Sequence, residues 1–144
     1  MPGSVGITRI GQAWWLSLLL SLPVAVMAAK LAPCPTTPNC VSSLASDAGH
    51  FVEPLRYSGE QAAAKAKLLQ LVVRQPRTAV LLDEAAYLHV TFTSRVFGFI
   101  DDVEFLFDDQ AKLIHVRAAS RKGRYDFGVN RRRVDTLRAA YLPE

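Results

Sequence analysis

Residues 101–120, DDVEFLFDDQAKLIHVRAAS, alternate polar and apolar side chains on both sides of a cluster of turn-forming residues. Side chains on a strand repeat with period two, so each arm of this segment has one apolar and one polar face. The segment therefore predicts a β-hairpin and demands something to cover its apolar face. A turn at Asp108-Asp109-Gln110-Ala111 places Phe105 opposite Ile114 and Val103 opposite Val116. The same register sets Glu104 opposite His115 and Asp102 opposite Arg117. A slip of one residue would pair apolar with polar throughout, so this register is strongly preferred.

The flanking sequence supplies the cover. Ser58 followed by Gln61 has the spacing of a capping box, and EQAAAKAKLLQLVVR is rich in helix formers, with Ala62, Ala66, Leu69 and Val73 as the expected buried stripe. Pro76 ends it. TAVLLD and AYLHVTFTS read as strands, the second with Leu88, Val90 and Phe92 inward and His89, Thr91 and Thr93 outward. VFGFI reads as a bent apolar segment around Gly98. A second helix is expected from about Arg131 to Leu142, with Asn130 as N-cap and Val134, Leu137 and Tyr141 buried. The order helix, antiparallel strands, helix predicts an α+β domain: four or five strands, with two helices on one face.

The N-terminus carries one basic residue, Arg9, and then a charge-free apolar run from Ala13 to Ala29. Pro23 and the small residues around Val26-Met27-Ala28 complete the pattern of a secretory signal peptide, assigned to residues 1–28. If uncleaved, the same run is nearly long enough to anchor the chain in a bilayer. The localisation expected is therefore exported: periplasmic or secreted, or membrane-anchored through that segment. Residues 29–54, rich in Pro, Ser, Thr and Asn, are expected to form an extended arm without regular structure, and residues 55–144 the α+β domain. Cys34 and Cys40 enclose five residues in APCPTTPNC; in an oxidising compartment the two thiols are expected to pair. The spacing is neither a redox C-x-x-C nor half of a zinc site with a second pair.

No catalytic fingerprint or cofactor motif occurs: no G-x-S-x-G, H-E-x-x-H, P-loop or dinucleotide-binding glycine pattern. Net charge is only +4, and Arg9 of the leader supplies part of it, so no global field favours nucleic acid. His50, His89 and His115 with Asp102 and Glu104 are the residues that a metal would need, yet their spacing demands none. Charge is instead segregated. Seven acids and one base lie between Asp83 and Asp109, and eight bases and two acids between Arg117 and Arg138. Arg131, Arg132 and Arg133 crowd the start of the last helix, where the macrodipole favours negative charge. Asp101 and Asp126 inside the protein, or an external anion held by Arg121, Arg131 and the amides near Asn130, are the partners expected for them.

The motifs CPTTPNCVSS, DDVEF and VRAASRKGRYDFGVNRRRVD, in that order, resemble the family known as domain of unknown function 1499. The resemblance covers nearly all of the chain after the leader. It implies an exported bacterial protein of unestablished activity. It also marks Cys34, Asn39, Cys40, Ser42, Ser43, Asp101, Asp102, Glu104, Arg117, Ser120, Arg121, Gly123, Asp126, Gly128, Asn130 and Arg131 as motif positions. Ala118 departs from the family pattern, which has serine there. The candidate ligand-binding set is Asp101, Asp102, Glu104, Arg117, Ser120, Arg121, Asp126, Asn130 and Arg131, with no catalytic residue and no metal assigned. The leading expectation is a non-enzymatic binding or accessory protein of the cell envelope, for a small anionic or polar ligand or an envelope protein. A hydrolase using Asp102 or Glu104 as general base is the alternative, and a structural ion-pair cluster without a site is a third.

Overall fold

The computed structural model describes Met1, Gly3 and residues 30–142; the apolar run assigned to a signal peptide lies outside these residues. The described chain runs β1 (Cys40–Ser42), β2 (Leu55–Arg56), α1 (Gln61–Val73), β3 (Thr78–Glu84), β4 (Tyr87–Thr93), β5 (Ile100–Asp108), β6 (Leu113–Ser120) and α2 (Val129–Ala140). The strands form one antiparallel sheet in the order β1-β6-β5-β4-β3, with β2 also paired to β6. Both helices lie on one face, where Leu68 and Val72 of α1 and Val134 and Leu137 of α2 pack on Leu88, Val90, Val103, Phe105, Ile114 and Val116. The fold is the expected α+β arrangement. Among the described residues, no helix is long and apolar enough to cross a membrane.

The arm is more regular than its composition suggests. Cys34 and Cys40 form the disulfide, and Cys40–Ser42 pairs with Arg117–Ala119 as an edge strand. Leu55–Arg56 pairs further down β6. Three-residue and two-residue strands are too short to show a period, so only the long-range partner reveals them.

The hairpin of β5 and β6 keeps its parity and shifts its register by two residues. Phe105 faces Val116, Val103 faces Ala118 and Glu104 faces Arg117. The strands extend to Asp108 and Leu113, and the turn falls at Asp109–Lys112, where Lys112 takes a left-handed φ of 55°. Asp108 Oδ1 accepts the Ala111 N–H at 2.9 Å and closes the turn. A two-residue shift leaves every apolar side chain on the core face, so hydrophobic patterning cannot distinguish the two registers; it changes only which charges meet.

Both helix starts differ from the expected ones. α1 begins at Gln61 after Glu60, with no side-chain cap. Gly59, at φ 73°, turns the chain just before it and leaves Ser58 outside the helix. Its buried residues are Ala64, Leu68 and Val72 rather than the stripe through Ala62 and Val73; a segment so rich in alanine offers several near-equivalent stripes. α2 begins at Val129 after Gly128, and Asn130 lies in its first turn, fully buried, instead of capping it. Val134, Leu137 and Tyr141 are buried as expected.

Candidate functional site

The sequence-predicted polar residues do not converge on one place. Alternation along β5 sends Asp101 to the core face and Asp102 and Glu104 to the opposite, open face of the sheet. Two separate networks result.

On the open face, Glu104 is held from both sides. Its Oε1 accepts the Tyr87 hydroxyl at 2.7 Å and its Oε2 accepts Arg117 Nη1 at 2.9 Å. Burial, followed by this hydrogen bond to Glu104, pushes the Tyr87 hydroxyl well above its ordinary pKa. Asp102 faces Ala119 across the ladder and takes its partners from the flanks. Arg121 grips it with Nε to Oδ2 at 2.8 Å and Nη2 to Oδ1 at 2.9 Å, and His89 Nε2 adds a bond to Oδ1 at 2.8 Å. Arg121 therefore makes the bidentate fork that guanidinium geometry favours. Beyond these, Ser43 Oγ accepts the Val116 N–H at 2.9 Å and lies 3.3 Å from His115 Nδ1. Arg117 Nε is buried without a protein partner.

The Arg121 fork is the main reason that the Asp102 carboxyl sits below the usual carboxylate range; desolvation opposes it and His89 reinforces it. A carboxyl with a lowered folded-state pKa adds stability at pH values above its unfolded value. That contribution disappears as pH falls through the folded value. The stability difference between wild type and Asp102→Asn should thus be constant from neutral pH down to about 4 and shrink below it. Urea unfolding at a series of pH values measures this, and a difference that stays level into strong acid contradicts the pairing.

The second network joins β5, β6, α2 and the arm at one end of the sheet. Ser120 Oγ donates to Asp101 Oδ1 at 2.6 Å, and Arg133 Nη2 pairs with Asp101 Oδ2 at 3.0 Å. Asn130 Nδ2 donates to Ser120 Oγ at 3.0 Å and to Asn39 O at 3.4 Å, while its Oδ1 accepts Arg133 Nη1 at 2.9 Å. Arg133 also stacks over the Phe92 ring at 4.6 Å. Asp126 caps α2: its two oxygens accept the Gly128 and Asn130 N–H groups, both at 2.9 Å. Arg131 leaves the cluster altogether and donates to Phe51 O at 2.6 Å and Gly49 O at 2.8 Å, tying α2 to the arm. Arg133, one of the three arginines crowding the start of α2, takes Asp101, one of the internal partners expected for them. Tyr87 is the residue that sequence reasoning missed; it shares the parity of His89, so periodicity along β4 could have found it.

His50 lies apart, bonded to Asp47 Oδ1 at 2.8 Å. Among the described residues, no three His, Cys, Asp or Glu side chains gather as metal ligands. Cys40 is consumed by the disulfide.

An open concavity of different character lies on the helical side. Where α1 and α2 part over the end of β4, a groove of about 560 Å³ is lined by Leu71, Phe92, Leu137 and the arginines 77, 132 and 133. Arg133 is neutralised by Asp101. Arg77 Nε donates to Thr93 O and Arg132 Nη1 to Phe127 O, so both exposed guanidiniums have only backbone carbonyls as partners and keep their charge uncompensated among the described residues. No carboxylate lines this groove among the described residues.

A family model described as protein of unknown function, DUF1499, matches residues 30–141. No curated protein and no solved structure matches the chain significantly.

Proposed function

The chain belongs to the DUF1499 family of proteins of unknown function, and from that premise we propose that it is a non-enzymatic, exported binding protein of the cell envelope. Its polar cluster serves as a clasp. Its ligand is an anionic amphiphile, a molecule with an aliphatic body and one carboxylate or phosphate head, taken up in the groove between α1 and α2. The observation that carries this reading is the apolar groove with two uncompensated arginines at its rim and no acid in its lining. Its volume falls in the range of small-molecule sites, and apolar walls with a few polar groups are their usual composition.

The occupancy of the candidate carboxylates supports a clasp over a hydrolytic centre. A general base needs a pKa near neutrality and a free lone pair aimed at substrate. The Asp102 carboxyl is shifted the other way, and both of its oxygens are engaged. Arg121, Arg131 and the Asn130 amide, the groups proposed from sequence to hold an anion, are bonded to Asp102, to the arm carbonyls and to Asp126. The apolar run at the N-terminus and the Cys34–Cys40 disulfide support export, since such bridges persist in oxidising compartments.

Calorimetry with dodecyl phosphate below its micellar concentration, set against inorganic phosphate and dodecanol, tests the groove. Binding should require head and chain together. Arg77→Ala and Arg132→Ala should each weaken it by about tenfold, the worth of a charge-assisted hydrogen bond. No heat with dodecyl phosphate, or equal affinity in the double variant, contradicts the proposal.

A further inference from the structure

Among the described residues, the large exposed aromatic side chains are concentrated at one end of the sheet. Phe97 is 75% exposed, Phe99 52%, Tyr125 68% and Phe127 80%, and Val96 beside them is 78% exposed. They come from two loops, residues 94–99 between β4 and β5 and residues 121–128 between β6 and α2. The two loops leave the sheet side by side: Ser94 N–H bonds Phe99 O at 2.8 Å, and Arg121 N–H bonds Ile100 O at 2.9 Å. Within each loop the rings associate, Phe97 with Phe99 and Tyr125 with Phe127, both at centroid separations of 5.6 Å.

Neither packing nor backbone geometry accounts for a phenylalanine at 127. Its φ is 52°, in the left-handed region that bulky side chains avoid, and its ring buries almost nothing. An outlier retained without packing is the kind of observation from which a functional role is inferred. Gly98, at φ 63°, makes the turn that carries Phe97 and Phe99 outward.

The charge around these rings has one sign. Arg95, Lys122 and Arg124 are exposed, and none has an acidic partner among the described residues. The acid within these loops, Asp126, is spent on the start of α2. The chain also enters the domain at this end. Asn39 O accepts the Ser120 N–H, and Cys40, opposite Ala119, is tied by the disulfide to Cys34, four residues after Lys30. In the sequence, the apolar run from Ala13 to Ala29 immediately precedes Lys30.

We propose that this end of the sheet docks on the surface of an anionic lipid bilayer, with Phe97, Phe99, Tyr125 and Phe127 in the interfacial layer and Arg95, Lys122 and Arg124 against the headgroups. Aromatic rings flanked by lysine and arginine match that layer on both counts: the rings suit the boundary between headgroups and acyl chains, and each base near the surface gains about 1 kcal/mol from anionic lipid. Ser94 and Val129, at the roots of the two loops, also line the helical groove, so docking would set the groove beside the membrane.

Hydrogen exchange on the full chain tests the docking locally, whatever the apolar N-terminus does. The probes are vesicles of phosphatidylcholine with phosphatidylglycerol at about 3:1, and vesicles of phosphatidylcholine alone. Amides of residues 95–99 and 121–128 should be protected by the mixed vesicles and hardly at all by the neutral ones. Lys122→Ala with Arg124→Ala should raise the lipid concentration for half-maximal protection roughly thirtyfold, about fivefold per base. Phe97→Ser with Phe127→Ser, both at exposed positions, should abolish the protection while leaving unfolding unchanged. Unprotected loops in anionic vesicles overturn the proposal, as does protection that survives the double serine variant. Protection that appears with protein concentration in the absence of lipid overturns it in favour of self-association.

Discussion

Asp101→Ala is expected to destabilise the protein by about 3 kcal/mol, measured by urea unfolding, and to lower the melting temperature by roughly 10–15 °C. The size follows from what is left behind. The Asp101 side chain is 9% exposed and that of Arg133 17%, so the variant strands a guanidinium that water reaches poorly. It also strands the Ser120 hydroxyl, bonded to Asp101 at 2.6 Å. Removing one partner of a buried pair costs far more than the pair contributes, because the other charge loses its compensation without regaining full solvation. Asp101→Asn keeps an acceptor for Ser120 and should lose less. A loss below about 1 kcal/mol for Asp101→Ala would place the pair among ordinary surface ion pairs and remove it from the clasp.

Asn130→Ala is expected to cost a similar amount, about 3 kcal/mol, through a different mechanism. Asn130 is fully buried and links three elements: the arm through Asn39 O, β6 through Ser120 Oγ and α2 through Arg133. Alanine leaves a small polar void and releases those groups together. Because the arm is then held by fewer bonds at its first strand, amides of Cys40–Ser42 should exchange with solvent faster than those of β4. The two substitutions share Ser120 and Arg133, so their combined effect should fall short of the sum by at least about 1 kcal/mol. Strict additivity would mean that the arm, β6 and α2 are fastened independently.

These residues also show which parts of the molecule were legible in the sequence. Alternation placed Val103, Phe105, Ile114 and Val116 in the core, and that depends only on parity. It could not place Glu104 against Arg117, because moving a strand by two residues leaves the apolar pattern intact and exchanges only charged neighbours. The turn decides between the registers, and Asp109–Lys112 carries no glycine to announce the left-handed residue at Lys112. The pairing of β1 with β6 was hidden for another reason: three residues are too few to show a period. Asn130 has the residue type of a helix cap, yet it is buried in the first turn while Asp126, further upstream, satisfies the amides. The groove was beyond reach of one-dimensional reasoning, since Arg77 and Arg132 come together only when α1 and α2 part over β4.

The clasp and the groove give the same positive charge two different fates. Arg117, Arg121, Arg131 and Arg133 are bonded to carboxylates and carbonyls of the protein itself. Arg77 and Arg132 remain with backbone partners only. Titrating nitrogen-15-labelled protein with dodecyl phosphate and following its amide resonances separates the two most directly. Shifts are expected at Thr93, Ser94, Val129, Arg132 and Thr136, around the groove, with Asp102, Glu104, Arg117 and Arg121 unmoved. Shifts centred on Arg117, Arg121 and Asp102, with the groove silent, would contradict the account and return the site to the polar cluster.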